Sequence, residues 1–333
     1  MQITKPAYFD SFCCVAGACP DSCCHQWAVV VDEASAARYQ ALAGDLGQRL
    51  REVLAQEDGD TILTLQPDGR CPMWQADGLC RIQAELGEGA LCQTCRQFPR
   101  LRHDYGDFVE LGLELSCPEA ALLILGGDAT PLSHTESGGD EPDYDADLMD
   151  ILLTSRESAR ALMARKDLTV PEALAVLLLY GHRVQAQLDG GEEAVPDPAG
   201  ALALARQLPL APYGDILEFC GELNILTERW RGRLVAPLGG AWTEEYRALG
   251  RYFIDRYWLQ AVADGDLISR VKLTVFACLV LRQLGGELLP TAQLMSKELE
   301  NDAENIDAIL DGAYDAPALT DANLLYLLLE VTP

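Results

Sequence analysis

Positive charge is scarce in this chain. Its 333 residues hold 25 Lys and Arg against 52 Asp and Glu, a formal net charge of −27. That balance excludes a general nucleic-acid binder, whose grip on phosphates needs Lys and Arg. It also disfavours docking on anionic membrane surfaces. Long apolar runs are missing too: a run such as Ala120 to Leu125 is far too short to span a bilayer. The first ten residues carry no apolar stretch of signal-peptide length, so a cytoplasmic location is expected. There thiols stay reduced, and clustered cysteines point to metal or catalysis before disulfides.

Cysteine is abundant, and unevenly placed. Of 12 cysteines, ten precede residue 118, and only Cys220 and Cys278 follow. The first cluster is Cys14-x4-Cys19-x3-Cys23-Cys24; then come Cys71-x8-Cys80, Cys92-x2-Cys95 and Cys117-Pro118. Thiolates select zinc, copper(I) or iron–sulfur clusters, with about four per site. Eight to ten therefore suffice for two zinc ions, or for one four-iron cluster with ligands to spare. A zinc ribbon needs two C-x2-C knuckles, and only Cys92-x2-Cys95 qualifies. The ferredoxin run C-x2-C-x2-C-x3-C-P is absent. The C-x3-C-x2-C triplet of radical S-adenosylmethionine enzymes, started at Cys19-x3-Cys23, fails because position 26 is Gln26. Cys13, Cys92, Cys220 and Cys278, taken singly, read as small apolar residues. Of the four histidines, His25 beside Cys24 is the best placed to ligate or to support a ligand. Trp27 is expected to pack over the metal site and keep water away.

With 49% hydrophobic residues, a packed core is expected, and the length suits two domains or one large one. The organisation read from composition is a cysteine-rich region over 1–125, an acidic linker or loop over 126–147, and a helical body over 148–333. The fold class expected is mainly α-helical with minor β, the cysteine-rich part packed on the helical body. Thr169-Val-Pro171 opens one helix with a cap and a first-turn proline. Thr243 followed by Glu244 and Glu245 opens another, with Tyr246, Leu249, Phe253 and Tyr257 at helical spacing. Further helices are expected over 267–284, 291–310 and 322–330. In the first region, 27–31 and 108–115 read as short strands. The stretch 34–55 reads as one helix, and Asp32 reads as its cap.

The cysteine pattern carries a resemblance. Phe12-x-Cys14-x4-Cys19-x3-Cys23-Cys24-His25-x-Trp27, then Asp32, is similar to the opening of the flagellin lysine-N-methylase family. The similarity continues through Cys71-Pro72, Gly78-Leu79-Cys80-x-Ile82-Gln83 and Leu86-Gly87. It ends with Thr94-Cys95-x2-Phe98-Pro99-Arg100 and Ser116-Cys117-Pro118-Glu119. Eight cysteines fall in register over the first 125 residues: Cys14, Cys19, Cys23, Cys24, Cys71, Cys80, Cys95 and Cys117. Cys13 and Cys92 lie outside that register. The chain also resembles small proteins that chelate zinc or iron through a cysteine cluster.

The resemblance implies methyl transfer from S-adenosylmethionine to lysine ε-amines of a protein substrate, flagellin, with those eight cysteines holding an iron–sulfur cluster. A 4Fe-4S cluster is the first choice and zinc the alternative. Two other readings stay open: a metal-binding redox or peptide-modification protein without methyl transfer, and a zinc-stabilised interaction scaffold. No Gly-rich loop marks an adenosylmethionine site. Methylating a lysine, whose ordinary pKa is about 10.4, requires a group that takes its proton. Tyr39, Tyr105, Tyr252 and Tyr257 are available without being singled out. Arg96, Arg100 and Arg102 gather positive charge beside Cys95, where it can balance anionic thiolates or a cofactor carboxylate.

Overall fold

The computed structural model describes residues 1–27, 29–57 and 59–329. Fifteen α-helices dominate these residues, so the chain is mainly α-helical with a little sheet. Seven short strands lie in the N-terminal part: β1 (Gln2–Pro6), β2 (Val29–Val30), β3 (Leu54–Glu57), β4 (Asp60–Leu63), β5 (Arg100–Asp104), β6 (Phe108–Leu113) and β7 (Pro131–Thr135). They make two sheets, ordered β5-β6-β1-β7 and β2-β4-β3. β1 runs parallel to β6, with Ile3 opposite Val109, and antiparallel to β7, with Ile3 opposite His134. The stretch 126–147, which reads as a linker or loop, thus contributes an edge strand. All five β7 side chains are exposed, so no alternation announces it; main-chain pairing to β1 makes the strand. No helix among the described residues is long and apolar enough to cross a membrane.

The cysteine-rich lobe has its own small core. Tyr39, Leu46, Leu50, Leu63 and Met73 pack there with Cys71 and Cys92. The single helix expected over 34–55 is two, Glu33–Ala41 and Gly44–Val53, followed by β3. The break falls where Gly44 takes a positive φ of 82°, a conformation that costs glycine little. Arg51 stabilises it: its Nη1 donates to the Gln40 carbonyl at 3.1 Å and to that of Leu42 at 2.7 Å. These are carbonyls that a helix end leaves without partners.

The helical body has one continuous core built around Leu174, Leu177, Phe253, Phe276 and Leu281, all almost fully buried. Helix Val170–Leu188 opens on the expected cap, a capping box of Thr169 and Glu172 with Pro171 in the first turn. Helix Leu267–Leu284 has the expected bounds. The helix expected over 291–310 divides into Leu288–Leu299 and Ala303–Asp315. Asp302 starts the second, its carboxylate accepting from the Glu304 and Asn305 backbone N–H groups. The last helix is Asp321–Leu329, and the Glu330 expected at its end lies outside the described residues.

One contact ties the cysteine loop to the body. Lys297, 1% exposed, donates to Asp21 at 2.8 Å. Gln293 on the same helix donates to the other Asp21 oxygen at 2.9 Å and to the Ser116 carbonyl at 2.7 Å. A buried ammonium left without its carboxylate is costly. Asp21→Ala is therefore expected to lower stability by about 3 kcal/mol. The double variant Asp21→Ala/Lys297→Met should recover part of that loss, because it removes the unpaired charge. Urea denaturation of the two variants checks this; equal stability of Asp21→Ala and the wild type would refute it.

Candidate functional site

All twelve cysteines are free thiols. Ten of them line one cavity of about 410 Å³ where the cysteine lobe meets the helical body, a volume in the range of cofactor sites, about 300–1,000 Å³. Its wall includes Cys14, Cys19, Cys23, Cys24, Cys71, Cys80, Cys95 and Cys117, so the eight expected ligands are brought together. Cys13 and Cys92, left outside the register, are in the wall as well. Cys220 and Cys278 are fully buried in the body's core, as small apolar residues are. The thiols ring the cavity without converging: among the described residues, no three Cys, His, Asp or Glu side chains stand close enough to hold a metal ion as they are. In kind and enclosure the donor set fits a thiolate-bound metal group.

Three of these cysteines sit at helix starts. Cys80 stands at the N-cap position of the helix Arg81–Leu86, Cys92 at that of Gln93–Gln97 and Cys117 at that of Pro118–Gly126, none of them with a side-chain capping hydrogen bond. Backbone N–H groups face each sulfur: those of Ile82 and Gln83 for Cys80, of Cys95 for Cys92, and of Glu119 and Ala120 for Cys117. Such donors favour the thiolate, as a helix N-terminus favours any anion. Burial works against them. It pushes Cys117 up to about 11 and Cys71 up to about 12, the latter despite a bond from the Met73 N–H.

One thiol in each of two pairs escapes this. Cys23 donates to Cys24, which holds Cys24 down at about 7 and drives Cys23 up. Cys95 donates to Cys92, which likewise sits at about 7 while Cys95 is driven up. The Cys92–Cys95 knuckle is anchored from three sides. Asp32 accepts from the Ser35 N–H at 2.9 Å and from the Gln93 N–H at 2.8 Å. Thr94 Oγ1 donates to the Val30 carbonyl at 2.8 Å, and the Tyr39 hydroxyl to that of Ala90 at 2.8 Å. The helix cap expected at Asp32 is present, and its second partnership across 61 residues is invisible in local sequence.

Other expected participants are redistributed. Arg96 and Arg100 line the cavity, with Arg100 also 5.0 Å over the Phe12 ring. Arg102, further along β5, is outside the wall and pairs with Asp104 at 2.7 Å. His25 is outside the wall; its Nε2 meets the Asp68 carbonyl at 3.2 Å, and its ring lies against Trp74. Trp27 does not cover the cavity. It packs on Phe98 and under the Lys297 ammonium, 5.1 Å from the ring centre. Of the four tyrosines, only Tyr39 reaches the wall. Burial drives Tyr252 and Tyr257 well above the ordinary tyrosine range, so both stay protonated and donate to Glu300.

Over 151 residues, 41% of this chain and 85% of the relative, the chain is 35% identical to the flagellar biosynthetic protein FliU of Salmonella muenchen. It is 36% identical over 148 residues to the Lysine-N-methylase of Salmonella choleraesuis (strain SC-B67), covering 40% of this chain and 35% of that protein. To the Lysine-N-methylase of Salmonella typhimurium (strain LT2) it is 34% identical over 141 residues, with 40% and 35% covered. The chain thus spans about a third of the length of those two methylases. No family model matches it. No solved structure matches it either.

The double role of Asp32 generates a test. Its two backbone hydrogen bonds lower the carboxyl from the usual 3.8 to about 2. A depressed folded-state pKa contributes stability that is fully present above about 4 and is lost as pH falls through about 2. Asp32→Ala should cost about 1 kcal/mol at neutral pH, the usual worth of such a cap. That deficit should shrink as the pH is lowered through this window. Urea titrations at a series of pH values read it, and a deficit independent of pH would contradict it.

Proposed function

We propose, for a chain that belongs to the flagellin lysine-N-methylase family, the function of an S-adenosylmethionine-dependent protein lysine methyltransferase that carries an iron–sulfur cluster on its cavity thiols. The relatives' names support a methyltransferase-like activity and point to a flagellin-related protein substrate. The single structural observation behind the reading is the gathering of ten thiols into one enclosed wall. Loops from residues as far apart as Cys14 and Cys117 reach it, an arrangement that small apolar cysteines have no reason to adopt.

When bound, a cluster on these thiolates supplies an iron at which adenosylmethionine can be held, or electrons. The chain's own residues do the rest. Backbone N–H groups at Cys71, Cys80, Cys92 and Cys117 stabilise the thiolate form needed for ligation. Arg96 and Arg100 offset the negative charge of thiolates and offer a partner to a cofactor carboxylate. Of the two carboxylates in the wall, Asp21 is committed to Lys297, which leaves Glu88 to attract a lysine ammonium and bring it to the cavity. The net charge of −27 favours approach of a lysine-bearing surface.

Anaerobic purification is expected to give a brown protein that contains iron and sulfide and is bleached by dithionite. Calorimetry on it should show saturable adenosylmethionine binding, and labelled methyl groups should pass to lysines of flagellin. Cys220→Ala and Cys278→Ala should leave the metal content unchanged. A colourless zinc protein would remove the cluster; absence of adenosylmethionine binding by metal-replete protein would remove the methyl transfer.

A further inference from the structure

We propose that the cavity holds two metal positions: an outer one on Cys14, Cys19, Cys23 and Cys117, and an inner one on Cys24, Cys71, Cys80 and the Cys92–Cys95 pair. This rests on the metal-binding reading of the cavity and adds its division.

Packing separates the two sets. Cys71 and Cys92 are buried in the small core of the cysteine lobe, and Cys24, Cys80 and Cys95 pack against that same core. Cys117 belongs instead to the core of the helical body. Backbone ties follow the same line. The Cys71 N–H donates to the Cys24 carbonyl at 2.7 Å, and Cys80 forms a bridge with Trp74, three residues after Cys71. The segments that carry Cys24, Cys71 and Cys80 are thereby tied to one another without the body.

The outer set is assembled by the body. Gln293 holds Asp21 with one side-chain nitrogen and the Ser116 carbonyl with that same nitrogen. Asp21 lies between Cys19 and Cys23, and its carbonyl accepts from the Cys19 thiol at 3.4 Å. Ser116 immediately precedes Cys117. One glutamine therefore brings the Cys19–Cys23 loop and Cys117 to the same wall.

Cys14 belongs to the same outer loop: its sulfur accepts from the Ala16 N–H at 3.4 Å, and the Ala16 carbonyl accepts from the Cys19 N–H at 3.0 Å. The sets touch at Cys23 and Cys24, which are adjacent in the chain. Four thiolates saturate one zinc or one four-iron cluster, and each set supplies at least that many. Cys92, outside the family register, gains a place: it is a fifth inner thiol, 1% exposed and packed in the lobe's core. Cys13 is in the wall as well, but its thiol is directed at the Cys14 carbonyl.

The test measures iron, zinc and sulfide per chain in anaerobically purified full-length protein, together with zinc titration of the metal-free protein. Zinc should bind at two equivalents. Cys14→Ser, in an exposed loop where folding is not at stake, should remove half of the metal, and so should Cys92→Ser/Cys95→Ser, which leaves three inner thiols. Cys14→Ser/Cys117→Ser should lose no more than half, whereas Cys14→Ser/Cys92→Ser/Cys95→Ser should lose all. Cys13→Ser should lose none. If Cys14→Ser or Cys92→Ser/Cys95→Ser abolishes all metal, or zinc binds at one equivalent, the cavity has one position and the division is wrong while metal binding stands. Wild-type protein that binds no metal would overturn both.

Discussion

A buried ammonium must have a partner, and in this protein that requirement fixes where the cysteine lobe sits. Lys297 is enclosed by the helical body, and the carboxylate that neutralises it comes from Asp21, between Cys19 and Cys23. Water cannot substitute for Asp21 at 1% exposure. The loop therefore has one docked position in which the charge is satisfied, and alternative placements each strand it. Trp27 seals the other side of the ammonium, with its ring 5.1 Å away. The pair is worth little as raw stability and much as a locator: it sets Cys19 and Cys23 against the body, beside the segment that carries Cys117.

That segment is held from behind by a second buried network. Arg256 lies between Glu300 at 3.3 Å and Glu114 at 3.5 Å, and its Nη1 also meets the Tyr252 hydroxyl at 2.6 Å. The Tyr252 oxygen in turn accepts from the Leu115 N–H at 3.3 Å. Residues 114 and 115 are thus fixed from one side and the Ser116 carbonyl from the other by Gln293. A fully satisfied polar network in a dry interior is rigid and specific. The tyrosines and acids of the body, chemically attractive on paper, are spent in positioning Cys117.

Much of this was legible in the sequence where the determinant is local. Asp32 and Thr169 announce helix starts through side-chain acceptors a few residues from the N–H groups they cap, and the apolar run over 267–284 is a buried helix with those bounds. The resemblance to the family singled out eight thiols that the fold does bring to one wall. What was illegible depends on distant partners. The leucines at 42, 46, 50 and 54 keep a four-residue step through a break that only Gly44 and the reach of Arg51 make favourable. Asp302 reads as one more acid in a helical stretch until its carboxylate is seen capping a new helix. β7 exists because β1 offers its edge. Cys92 reads as a small apolar residue and is buried as one in the lobe's core, while its place in the cavity wall depends on chain segments far away in sequence.

The two architectures also differ in what holds them, and that difference bears on how a metal group would couple to the rest of the molecule. The body's core is continuous, and of the cavity's thiols only Cys117 belongs to it. The lobe's core is small, includes two cysteines as packing residues, and has three more pressed against it. A lobe with so little apolar area has little stability in reserve, and ligands that converge on a metal add binding free energy to folding free energy. Occupancy by a metal would then be felt mostly in the lobe, whereas the body supplies a fixed wall. The joint between them is the Asp21 clamp, so any tightening of the thiols around a bound group acts on a loop that the body already holds in place.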